Sequence, residues 1–118
     1  MGAPAAAYPF AVIGLPDDYG PLADVLMAAA AQAAIGKGRE RHANGRAFLD
    51  QPIMENGRTF GLGFPIGQAA KKSREAFDMA RRGEHDRAER ELLGAVNYLA
   101  AAVLLIREIA AEDLKQPS

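Results

Sequence analysis

The chain predicts an all-α fold: a helical hairpin over about 65–82 and 86–111, packed with an N-terminal helix over about 21–35. Three observations predict it. Apolar residues recur at steps of three and four through each segment. Gly36 and Gly83 stop the first two patterns. Only Gly83 to His85 separates the second from the third, and so short a connection makes them antiparallel neighbours. With 118 residues, the chain suits a single domain, 1–118, with one core.

Residues 1–20 carry Pro4, Pro9, Pro16, Gly14 and Gly20, which break a helix and leave an arm with at most a short extended piece around Phe10–Ile13. From Pro21, which suits a first helical turn, Leu22, Val25, Leu26, Ala29 and Ala33 form one face. The segment 36–64 is rich in glycine and holds no sustained period, so it is expected as a long loop, with a short helix over 39–43 or 48–54 left open. Loops longer than about 12–15 residues are often functional, so a site is sought here first.

The second helix places Ile66, Ala69, Ala70, Phe77 and Ala80 on one side, with Lys71, Lys72, Arg74, Glu75 and Asp78 around the rest. Asp86, followed three residues later by Glu89, has the form of the next helix start. The third helix carries the stripe Ala88, Leu92, Val96, Leu99, Val103 and Ile106, whose burial is expected to contribute on the order of 10 kcal/mol before entropy and to form the spine of the core. The run Tyr98–Ile106 is apolar all round, more than a three-helix monomer needs, so a homo-oligomer through helix 86–111 is expected. Gly94, Ala95, Ala101 and Ala102 would let a second helix approach closely. The alternative is that the N-terminal arm covers this surface.

Composition excludes several chemistries. There is no cysteine, which removes disulfides, thiolate metal sites and cysteine nucleophiles together. Net charge is −1, which argues against coating nucleic acid by bulk charge. That charge is unevenly spread: residues 1–36 carry three acids and no base, 37–82 ten bases and five acids, and 83–118 four bases and seven acids. The start has no Lys or Arg before Lys37, hence no positive region of a secretion signal, and Ala6 fails the myristoylation pattern. The uncharged run Leu92–Ile106 is 15 residues, short of the roughly 20 that span a bilayer. No membrane association and a cytoplasmic location are expected.

The densest candidate site is Gly36-Lys37-Gly38-Arg39-Glu40-Arg41-His42-Ala43-Asn44-Gly45-Arg46. Glycines let backbone N–H groups converge on an anion, and guanidinium groups offer paired donors to phosphate oxygens. His42 there can hydrogen-bond a phosphate or exchange a proton. A second basic segment, Gly57 to Gly67 with Arg58, leads into a helix N-terminus followed by Lys71 and Lys72. Neither segment is a Walker or dinucleotide-binding motif. Together they predict a phosphorylated, nucleotide-like ligand held by Lys37, Arg39, Arg41, His42, Arg46, Arg58, Lys71 and Lys72, provided the turns at 37–46 and 57–74 meet in one concave pocket. Against this stands the plainer reading of solvated basic loops.

Glu75 and Asp78 lie three apart on one helical face and, with Glu89 or Glu91 across the hairpin, offer oxygen ligands for magnesium. The plainer reading pairs Glu75 with Lys71 and Asp78 with Arg82 at the surface. His85 is expected as a turn residue. Asn97 and Tyr98 interrupt the apolar helix and are expected in a polar network across an interface. Phe48, Phe60 and Phe64 are expected in core packing rather than base stacking.

The segments Gly36–His42, Asp50-Gln51-Pro52-Ile53, Gly67-Gln68-Ala69-Ala70-Lys71-Lys72 and Glu91–Leu99 resemble a type of small protein carried by bacteriophages and prophages, over about residues 22–110. More distantly, the hairpin resembles the all-α nucleotide pyrophosphohydrolases of the MazG type, including phage dATP/dGTP diphosphohydrolases. That resemblance implies magnesium held by a Glu-x-x-Glu motif and a later Glu-x-x-Asp motif. Glu75-Ala76-Phe77-Asp78 fits the second, and no Glu-x-x-Glu occurs.

Three functions follow as expectations. The first is a non-catalytic protein, without cofactor, that sequesters a phosphorylated nucleotide-like ligand such as a host signalling nucleotide, in the host cytoplasm if phage-encoded. The second is a magnesium-dependent pyrophosphohydrolase using Glu75, Asp78, Glu89 and Glu91, and the third a protein-interaction module whose face is Tyr98–Ile106.

Overall fold

The computed structural model describes residues 15–35 and 45–115, and all of their regular structure is helical. The arm before residue 15, including Phe10–Ile13, and the segment 36–44 lie outside the described residues.

A single 3-10 turn, Asp17–Tyr19, leads into α1, Gly20–Ala34, with Pro21 in the first turn, where its missing N–H costs nothing. The long loop expected over 36–64 needs correction. A 3-10 turn, Phe48–Asp50, is followed by α2, Pro52–Phe60. Pro52 opens α2, and the Gln51 carbonyl accepts the N–H groups of Met54 and Glu55 at 2.9 and 3.0 Å. Inside α2, Gly57 marks a close approach rather than a break. A Cβ there would stand 3.1 Å from Cδ2 of Leu105 and 3.7 Å from Cδ of Pro65. Gly61, at φ 92, ends the helix in a conformation that favours glycine.

The next helix, α3, spans Gly63–Arg81 and begins two residues before Pro65, which falls in its first turn. It closes on Gly83 at φ 81: the Gly83 N–H donates to Ala80 O at 3.0 Å and the Glu84 N–H to Met79 O at 2.9 Å, a Schellman motif. The last helix, α4, spans His85–Lys115. Its 31 residues rise about 46 Å. Asp86 is not its cap. The Glu84 carbonyl already accepts the Ala88 N–H at 3.0 Å, so Asp86 lies inside the first turn, where its charge still favours the helix dipole.

The hairpin of α3 and α4 is the frame, and α1 and α2 also pack on α4. Its interface is built from alanine. Ala69 and Ala76 of α3, and Ala88, Ala95 and Ala102 of α4, are buried and repeat at intervals of seven, so the backbones approach closely. The Lys72 alkyl chain lies over Gly94, where a Cβ would meet its Cδ at 3.1 Å. A separate apolar cluster of Met54, Ala101 and Leu105 fastens α2 to the later half of α4, with Phe48, Ile53, Leu62 and Leu104 around it.

The expected spine is corrected by this packing. Of the stripe Ala88, Leu92, Val96, Leu99, Val103 and Ile106, only Ala88 is buried; Leu92, Leu99, Val103 and Ile106 are 47–50% exposed. Helix α4 instead buries the adjacent row of small residues. Likewise α3 buries Ala69 and Ala76 but leaves Ile66 and Phe77 exposed. Phe48 and Phe64 do pack inside, Phe64 edge-on to Tyr98 with ring centroids 6.0 Å apart, whereas Phe60 is exposed.

Candidate interaction surface

Of the described basic candidates, Arg46, Arg58 and Lys72 are each paired with an acid of the same chain. Arg46 lies 3.6 Å from Glu55. Arg58 donates two hydrogen bonds of 2.8 Å to the Glu108 carboxylate, raising its own pKa further and holding that of Glu108 below the usual carboxylate range. Lys72 lies 3.7 Å from Glu91. Glu91 and Glu108 are seventeen residues apart on one helix, so the heads of Arg58 and Lys72 stand about 25 Å from each other along it. These two members of the expected pocket therefore do not converge. Lys71 is exposed on α3 and has no ion pair among the described residues. Lys37, Arg39, Arg41 and His42 lie outside the described residues.

The acidic candidates are also dispersed. Glu75 and Asp78 are exposed on α3, Glu89 is exposed on α4, and Glu91 is engaged by Lys72. Positions 75 and 78 stand about 90° or more around α3 from its buried row, so their carboxylates do not face α4. No group of three His, Asp or Glu side chains among the described residues is placed to hold a metal ion. Arg82 pairs with Glu84 at 2.6 Å rather than with Asp78, and Arg87 also binds Glu84, so two guanidiniums lower the Glu84 pKa, the Arg82 hydrogen bond most. His85 is exposed at the start of α4, beside that turn.

Asn97 and Tyr98 serve packing within the chain. The Asn97 side-chain amide donates to Ala29 O at 2.9 Å and joins α4 to α1. Tyr98 is half-buried beside Phe64, and burial pushes its phenol pKa up.

What the hairpin leaves open is an apolar face. On α4, positions 92, 96, 99, 103, 106 and 110 follow steps of four and three, the spacing of a helix seam, and none is charged. On α3, positions 66, 70, 73, 77 and 80 do the same, with Ile66, Ala70, Ser73, Phe77 and Ala80. Each exposed row lies about 60–80° around its helix from the row buried between them, in the same rotational sense. Because α3 and α4 are antiparallel, equal offsets bring both rows to one side of the hairpin. Helices α1 and α2 occupy other sides of α4, through Asn97 and through Leu105 and Glu108. Arg81 lies over the Phe77 ring, 5.6 Å from its centroid, at the edge of this face.

By length and composition α4 also passes for a membrane span, although its uncharged run is only 15 residues, because the helix continues on both sides of that run. No protein family, curated protein or solved structure matches this chain.

Proposed function

We propose that this chain is a non-catalytic association module whose working surface is the apolar face of the α3–α4 hairpin. One observation carries the reading. Leu92, Leu99, Val103, Ile106, Ile66 and Phe77 each keep close to half or more of their surface exposed, on two rows without a charge, while the same helices bury alanine. Large contiguous apolar patches rimmed by polar residues mark interaction sites, because water contact with them is costly and another surface can remove it.

A protein partner accounts for the face better than a bilayer does. Were α4 to span a membrane, α3 alongside it would carry Lys71, Arg74, Glu75 and Asp78, all exposed, to membrane depth. Each charge there costs about 2.5–3.5 kcal/mol on insertion scales.

The natural chain lacks cysteine, so single introduced thiols report directly on burial of the face. In its native cells, a permeant maleimide should modify Leu99→Cys and Val103→Cys several-fold more slowly than Glu75→Cys. Equal rates at all three positions would show the face bare and end the reading.

A further inference from the structure

We infer that the occupant of this face is a second copy of the chain, with the two α4 helices antiparallel across a two-fold axis beside Leu99. This rests on the association reading above and names its partner.

The apolar row of α4 has its own centre. Leu92 and Ile106 are equidistant from Leu99, and Val96 and Val103 nearly so. An antiparallel copy therefore sets Leu92 against Ile106 and Val96 against Val103, with Leu99 near its own counterpart. A two-fold interface demands this kind of self-complementarity. The flank of the row has nearly the same centre, one residue away at position 98. Glu89 and Arg107 are eighteen residues apart, five full turns, so they share one side of the row. Both are exposed, and neither has an ion-pair partner among the described residues. Turning one copy end over end brings Glu89 of each chain to within about 3 Å of the level of Arg107 of the other.

The hairpin's unequal arms favour the same arrangement. Phe64 packs edge-on against Tyr98, so α3 begins near the level of that residue, and α4 runs on for nearly five turns beyond it. Over that overhang α2 covers the side bearing Leu105 and Glu108, leaving Val103, Ile106 and Ile109 exposed. Laying α4 on the partner's α3 would leave these three uncovered, because that helix is equally short. In the antiparallel α4 pair they meet the partner's Val96, Leu92 and the neighbourhood of Phe77. Each copy would bury on the order of 600 Å², about 1,200 Å² in total, the lower edge of stable specific interfaces.

The test uses the full chain. Sedimentation equilibrium should give twice the chain mass, and Leu99→Asp should give the single-chain mass with unchanged helical circular dichroism. Should that variant lose its helices, the cysteine set decides alone. A short bismaleimide should link Leu99→Cys to itself, and Leu92→Cys to Ile106→Cys in a mixture. Leu92→Cys alone should not link, because its two copies would be about 20 Å apart. Self-linking of Leu92→Cys and Ile106→Cys as fast as Leu99→Cys would overturn the antiparallel pair. A single-chain mass with Leu99→Cys still protected in cells would overturn the second copy while association stands. Protection in the purified monomer that disappears when residues 1–14 are removed would assign the cover to the arm and overturn both. So would protection that appears only with anionic lipid vesicles.

Discussion

The side-chain amide of Asn97, midway along α4, donates a 2.9 Å hydrogen bond to the backbone carbonyl of Ala29, which is 1% exposed at the centre of the α1 contact. A polar residue in an otherwise apolar stretch thereby sets the register of one helix on another. Gln32 adds a second, exposed bond to the Arg90 carbonyl at 3.1 Å.

Asn97→Ala should therefore loosen α1 selectively. Loss of a part-buried bond of this kind costs about 0.5–1.5 kcal/mol. Urea unfolding should show that decrease, and amide exchange should speed up in α1 before α3. Uniform faster exchange, or none, would mean that α1 is held by its apolar contacts alone.

Two helical glycines should respond in opposite directions to alanine. At Gly57 the new methyl meets buried Leu105 at 3.1 Å, within the Met54–Ala101–Leu105 cluster, and overpacking of a filled site costs about 1–3 kcal/mol, more than the helix propensity gained. At Gly94 the obstacle is the flexible end of Lys72, which can swing away, so Gly94→Ala should gain up to about 1 kcal/mol. Thermal unfolding of the two variants, compared with the parent, measures both signs. Equal shifts would contradict the distinction between a fixed and a movable neighbour.

The pair Arg58–Glu108 and the double clasp of Glu84 make stability depend on acid. Both carboxylates have pKa values below their ordinary range, through hydrogen bonds first from Arg58 and Arg82 respectively. Their contribution is fully present above the unfolded glutamate value of about 4.3 and is lost as the pH falls through the lower folded values. The melting temperature of the parent should exceed that of Glu108→Gln and Glu84→Gln near neutrality, and the differences should shrink below about pH 4 and in molar salt. The arginines are exposed and both glutamates partly so, and solvent screening keeps the effect small. A difference that persisted in acid would place its origin in packing instead.

The same ion pairs explain what the candidate site looked like from sequence. Arg58, Lys72 and Arg46 stand in glycine-rich or basic surroundings that fit an anion, yet each has an acid from elsewhere in the fold within 4 Å. Those partners are 50, 19 and 9 residues away along the chain respectively, separations at which spacing predicts nothing. The missed helix α2 has a similar cause. Its Gly57 reads as a break until Leu105, 48 residues later, is seen to need the space.

The positions of α1, α3 and α4, the turn at Gly83 and the antiparallel hairpin follow from local chemistry: periodicity, proline in a first turn, and a glycine at positive φ are properties of a few adjacent residues. The direction each helix faces is not local. On α4 a row of leucine, valine and isoleucine runs beside a row of alanines at 88, 95 and 102, and either one repeats with a spacing that fits a core. Tertiary packing chose the alanines, because small side chains let α3 come close while α1 and α2 occupy other sides, and so the larger residues were left facing outward.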